Sequence, residues 1–243
     1  MDFGMILDDA FAYTKQGIFE NTDRWMKLII AILCLGLPLN GYVMRIYRSA
    51  NPVPEVDNWG SLFVDGLKLM IVGLGYAIPI FILYALIYGD IFIAALSGTT
   101  GHMDSAMVSG WAPNIGLVLL MFLVEIAVWL IVPVASIRFA RTNSFSEAFN
   151  FSAIIEYIRK IGWINYILAL FLIALIIGIP IAILVFGFIL LGGMILFIFK
   201  VGTIAILGFI LALVMIILTL APLFAVFQAR YMTRIYDSAE PEG

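Results

Sequence analysis

The chain reads as an all-α, polytopic membrane protein: about four full transmembrane helices, an N-terminal re-entrant or short hairpin, and amphipathic helices at the membrane interface. Three observations predict this. Hydrophobic residues make up 64% of the 243, and charged residues 12%. Soluble domains run at roughly 45–50% and about 25%. Mean hydropathy is +1.12. The basic residues are bunched: none lies between Lys68 and Arg138, and only Lys200 lies between Lys160 and Arg230.

Other classes fall away on the same numbers. Disorder needs low hydrophobicity and high charge. A disulfide scaffold needs cysteine pairs, and Cys34 is the only cysteine. Thirteen Lys and Arg against sixteen Asp and Glu give a net charge of −3, so nucleic acid is not an expected partner, because phosphate binding wants a basic surface. The expected partners are the lipid bilayer and either a second copy of the chain or another membrane subunit.

The whole chain, 1–243, is expected to form a single membrane domain. Residues 1–24 read as an amphipathic N-terminal helix. They begin with Asp2, Asp8 and Asp9, where a cleavable signal peptide would carry positive charge. Residues 25–48 hold an apolar stretch broken by Leu-Gly-Leu-Pro-Leu-Asn-Gly-Tyr at 35–42. It is either one span or a short hairpin turning at Pro38–Gly41. The hairpin is preferred because it leaves every basic residue except Lys200 on one side. Residues 49–68 form an acidic-aromatic loop leading into the membrane.

Residues 67–137 have room for two crossings, since a span needs about 20 apolar residues to cross roughly 30 Å. Their outer loop, 89–113, has no Lys or Arg, whereas the flanks at 45–68, 138–160 and 230–234 are basic. The positive-inside rule then puts the flanks and both termini in the cytoplasm of a cell-membrane protein. Ile91–Leu96 is expected in the outer interface. Residues 138–161 read as a cytoplasmic amphipathic helix opened by a capping box at Ser144 and Glu147. Residues 162–229 are expected to cross twice, because a third crossing would put Arg230 and Arg234 outside. The break is expected at Leu191–Gly202, with Lys200 snorkelling to the interface. Residues 230–243 form an acidic tail.

An internal echo runs through this plan. Residues 9–25 align without a gap on 147–163, matching Ala10, Phe11 and Trp25 to Ala148, Phe149 and Trp163, and Asp9 to Glu147. Residues 60–68 form a weaker third copy. Each copy is expected to be an interfacial helix ahead of a membrane span. Pro38, Pro133 and Pro222 each precede an arginine, Arg45, Arg141 or Arg230, by about two helical turns.

Gly-Tyr-Val-Met-Arg-Ile-Tyr-Arg at 41–48, the segment 54–68 and Arg-Phe-Ala-Arg-Thr-Asn-Ser-Phe-Ser-Glu-Ala-Phe-Asn-Phe at 138–151 are distinctive. They resemble hallmark segments of the membrane family labelled domain of unknown function 4013. Pro54, Glu55, Asp57, Trp59, Gly60, Leu62, Phe63, Gly66, Leu67 and Lys68 fit its long motif, and Val56, Asn58 and Ser61 depart from it. The resemblance implies a polytopic helical protein of archaeal type and no particular activity.

Glu125 is the sharpest single feature. It lies near the expected bilayer midplane, where an ionisable group marks a functional site by default. It is either a protonated carboxyl bonded across a helix seam or a proton or cation site, with Asn165, Tyr166, Thr219 or Lys200 as partner. Glu55, Asp57, Trp59 and Asp65 form a candidate loop for docking a partner, or an interfacial anchor. His102 with Asp104 makes a poor metal site. No metal, cofactor or catalytic residue is expected, and no nucleophile elbow, Walker loop or zinc-helix motif is present. The expectation is a non-enzymatic scaffold or accessory subunit. The alternative is a small transporter or channel for a solute, ion or lipid, with Glu125 at its site.

Overall fold

The computed structural model describes residues 1–96, 115–199 and 203–239. Among these residues the regular structure is helical. Four helices are long and apolar enough to cross a membrane: α4 (Trp59–Leu96), α5 (Ile115–Thr142), α8 (Trp163–Phe199) and α9 (Thr203–Asp237). Pro79, Pro133, Pro180 and Pro222 lie inside them without ending them, as neighbouring helices allow in a membrane.

α4 runs on past Tyr88, the expected end of its span, through Ile91–Leu96. Within the expected break at Leu191–Gly202, α8 runs on as far as Phe199 and α9 begins at Thr203. One of the glycines of α8 serves packing: a Cβ on Gly192 would stand 2.0 Å from the Phe209 ring. Phe188 and Phe209 meet there at 3.9 Å between ring centroids. Small residues let membrane helices approach closely. Lys200 and the 97–114 stretch, with His102 and Asp104, lie outside the described residues.

The N-terminal apolar stretch is a helical hairpin. α2 (Thr22–Leu33) has 12 residues and α3 (Leu37–Tyr47) has 11. At about 1.5 Å per residue neither arm reaches across a hydrocarbon core. The expected turn at Pro38–Gly41 is corrected to Cys34–Gly36, where Leu35 and Gly36 take φ of 59° and 69°. Pro38 sits in the first turn of α3, where its missing N–H costs nothing. Gly41 lies mid-helix for a different reason. A Cβ there would stand 2.0 Å from the Leu62 carbonyl oxygen, and one on Gly66 would stand 1.7 Å from that of Leu37. The two glycines let α3 and α4 cross backbone to backbone.

α1 (Phe3–Thr14) begins the chain, its N-terminus capped by Asp2, and passes into a π-helical turn at Lys15–Phe19. The amphipathic helix expected over 138–161 is instead the end of α5 followed by two pieces, α6 (Phe145–Ala148) and α7 (Phe151–Ile161). The capping box is not made. Ser144 contributes no side-chain cap, and Glu147 turns to Arg138. Asn150 caps α7 instead, accepting from the Ala153 N–H at 3.2 Å. Between the pieces, Phe149 stacks on Tyr76 at 5.1 Å and fills the space left by Gly75. A long-range ion pair and a ring contact outweigh a local box. The third echo, 60–68, is likewise no separate helix but the opening of α4.

Burial divides the molecule. Tyr42, Tyr166, Tyr231, Phe139, Ile154 and Ile158 are fully buried in one core at the end where the arginines gather. Along the spans, by contrast, at most 17% of the most apolar window is buried, and none of it in α5. One end is packed like a soluble domain. The other is two helical hairpins, α4–α5 and α8–α9, with apolar flanks exposed.

Candidate functional site: an intramembrane carboxylate and an arginine collar

Glu125 projects from α5, ten residues or about 15 Å beyond Ile115. It is half-buried. Tyr84 of α4 donates its phenol to Glu125 Oε1 at 3.4 Å, and Tyr84 stacks on Tyr88 at 5.7 Å. Of the partners expected from sequence, Lys200 lies outside the described residues, and the other three do not reach it. Asn165 donates to the Ile161 carbonyl at 3.5 Å, Tyr166 to that of Leu130 at 2.6 Å and Thr219 to that of Met215 at 2.7 Å. Each satisfies a backbone oxygen.

Glu125 also lines an open groove of about 590 Å³ between the two hairpins, with Trp129, Pro133, Leu170, Ile177 and Gln228. The wall is apolar except for the Glu125 carboxyl and the Gln228 carboxamide. No group of three or more His, Cys, Asp or Glu among the described residues could hold a metal ion.

The acidic-aromatic loop is folded onto the protein. Val53 and Val56 are buried, and the Pro54 and Ala50 carbonyls accept from Tyr42 at 2.8 Å and Tyr13 at 3.0 Å. Glu55 pairs with Arg24 at 2.6 Å, Asp57 with Arg45 at 2.6 Å and Asp65 with Arg48 at 2.7 Å. Trp59 opens α4 and packs against the core. Each carboxylate proposed to face a partner therefore holds an arginine of this chain. Of these three arginines Arg24 is the most enclosed, 6% exposed.

The pairing extends around the whole end. Asp9 takes both Arg230, at 2.6 Å, and Arg234, at 2.5 Å. Arg141 pairs with Asp237 and Arg138 with Glu147. Burial of the Asp9 carboxyl opposes its ionisation, but hydrogen bonds from Arg234 and Arg230 hold it well below the usual carboxylate range. Arg230 also lies over the Tyr13 ring at 4.4 Å, and burial pushes that phenol up to about 12.

This collar gives the internal echo a physical meaning. The aligned acids Asp9 and Glu147 each bind an arginine at the end of a span. The arginines that follow Pro38, Pro133 and Pro222 are all ion-paired. The helix boundaries of the two copies do not coincide: the first copy breaks at 20–21 and the second at 149–150.

Four apolar helices anchored in a compact, arginine-collared end define a multi-pass membrane protein of helical-hairpin construction. The chain matches the family described as protein of unknown function (DUF4013) over residues 26–190, and it belongs to that family. The match takes in all but the first turn of the α2–α3 hairpin, the clamped loop, Glu125 and most of α8, and stops short of α9. No curated protein and no solved structure matches the chain.

Proposed function

We propose that the protein is a non-enzymatic scaffold or accessory subunit of the cell membrane, with its collared end and both termini in the cytoplasm. The groove between its hairpins would receive a transmembrane helix of another subunit. The observation that carries this reading is Glu125. A carboxyl at this depth costs roughly 2.5–3.5 kcal/mol on insertion scales unless it is neutralised or bonded. Tyr84 meets one of its oxygens at 3.4 Å, and the other side faces the groove. An apolar helix carrying one hydrogen-bond donor at mid-depth would complete the site and cover the exposed flanks of α5 and α8. The same groove favours a second reading, a small transporter or channel, because Gln228 and Glu125 offer two polar stations along it.

Glu125→Gln separates the two. It keeps size and hydrogen bonding and removes the titratable proton. A scaffold should retain thermal stability in detergent, oligomer size by native mass spectrometry, and growth of a complemented deletion strain. Glu125→Leu should loosen the assembly by about 0.6 kcal/mol, the average for membrane hydrogen bonds. A stable Gln variant that fails to complement would overturn the scaffold reading in favour of transport.

A further inference from the structure

We propose that the C-terminal half of α7 is a binding site for the headgroup of an anionic phospholipid, with Arg159 and Lys160 as its cationic ligands. Three independent features of the helix point there. The first is charge. Every other arginine of the described residues is held by a carboxylate: Arg24, Arg45, Arg48, Arg138, Arg141, Arg230 and Arg234. Arg159 has no such partner and is exposed. A chain that pairs its arginines so thoroughly leaves this guanidinium open to an external anion, and its planar fork suits a phosphate.

The second is depth. α7 ends at Ile161, and α8 begins its span at Trp163, two residues later. Arg159 and Lys160 therefore sit within one helical turn of the point where the chain enters the bilayer. That is the headgroup layer, and Trp163, itself exposed, is the residue type that marks it. The third is shape. With Ile154, Ile158 and Ile161 turned into the core, the outward face of α7 splits into two stripes. Phe151, Ile155 and Arg159 follow one another at four-residue spacing, as do Ser152, Glu156 and Lys160. One stripe is apolar with a cation at its end, and the other is polar. An open cleft of about 630 Å³ lies along them, lined by Ser152, Ile155, Glu156, Arg159 and Lys160. A phosphodiester between the two cations would place its acyl chains beside Ile155 and Phe151.

Glu156 tunes the site. It holds Lys160 at 3.3 Å, one turn apart on the helix, and an arriving phosphate must compete with it. The inference rests on the membrane class of the protein, not on the scaffold proposal. It is tested on the full-length protein in detergent, titrated with phosphatidylglycerol or phosphatidylcholine and read by native mass spectrometry. The wild type should retain phosphatidylglycerol in preference to phosphatidylcholine. Arg159→Gln and Lys160→Gln should each cut that preference about fivefold, as expected for one cation at an anionic surface. Glu156→Gln should raise it, which keeps the test decisive if either loss variant folds poorly. Lys27→Gln, a cation elsewhere that is paired with Asp23 at 2.6 Å, should leave it unchanged. Equal retention of the two lipids by the wild type, or no change in any α7 variant, would overturn the site. Full displacement of the lipid by soluble glycerol phosphate would make it a site for free phosphate and overturn the lipid assignment.

Discussion

Asp9 and Arg230 are 221 residues apart in sequence and 2.6 Å apart in space. Through this contact the first helix closes on the last, and Arg234 doubles it at 2.5 Å. A carboxylate gripped by two guanidiniums is a charge-assisted arrangement stronger than neutral hydrogen bonds. It ties α1 to the same end of the molecule at which Glu147 ties α6 to Arg138.

The acid sensitivity of the fold follows from this pair. The native carboxyl of Asp9 titrates below the 3.8 of a free side chain. As pH falls, the unfolded chain therefore takes up this proton first. The stabilisation is complete above about pH 5 and is lost as pH drops through 3.8 toward the native value. Asp9→Asn should lower thermal stability at neutral pH and flatten the acid limb of a plot of melting temperature against pH. An acid limb as steep in the variant as in the wild type would assign the sensitivity to other carboxylates.

The crossing of α3 on α4 makes an equally sharp prediction. Gly41→Ala and Gly66→Ala would each drive a methyl into a carbonyl oxygen. Backbone cannot yield as a side-chain tip can, so each should cost roughly 1–3 kcal/mol, as overpacking does. Gly73→Ala, where nothing lies within 4 Å, should be neutral or stabilising by up to about 1 kcal/mol, since alanine suits a helix better. Unfolding in mixed micelles measures all three, and equal effects at Gly41 and Gly73 would refute the close crossing.

Orientation in the membrane can be read by labelling intact cells with an impermeant thiol reagent. Cys34 is partly accessible, so the background must be Cys34→Ala. In it Ser105→Cys should label and Ser144→Cys should be protected. A protease added to sealed cells should spare a tag placed before Met1, because the α2–α3 hairpin returns the chain to the side it came from. The opposite labelling pattern would invert the topology.

Hydropathy and charge spacing alone determined the solvent of this protein, its helical class and its four long spans. These follow from local composition: a segment with about 20 apolar residues and no charge has one stable state in a bilayer, a helix that satisfies its own backbone. The short α2–α3 hairpin was one of two readings left open, preferred because it keeps Lys27 and Arg45 on one side. The site was only half legible. Glu125 stands out as a single residue, but Tyr84 faces it only because α4 and α5 pack antiparallel. The collar was not legible at all as a set of pairs. Arg24 with Glu55, Arg141 with Asp237 and Asp9 with Arg230 join residues whose neighbourhood exists only once the helices have docked. Tertiary structure also decided against local preference where the two competed. The turn moved from Pro38–Gly41 to Cys34–Gly36 because the crossing needs Gly41 inside a helix. The capping box at Ser144 was lost because Arg138 offers Glu147 a full charge, which is worth more than one backbone N–H.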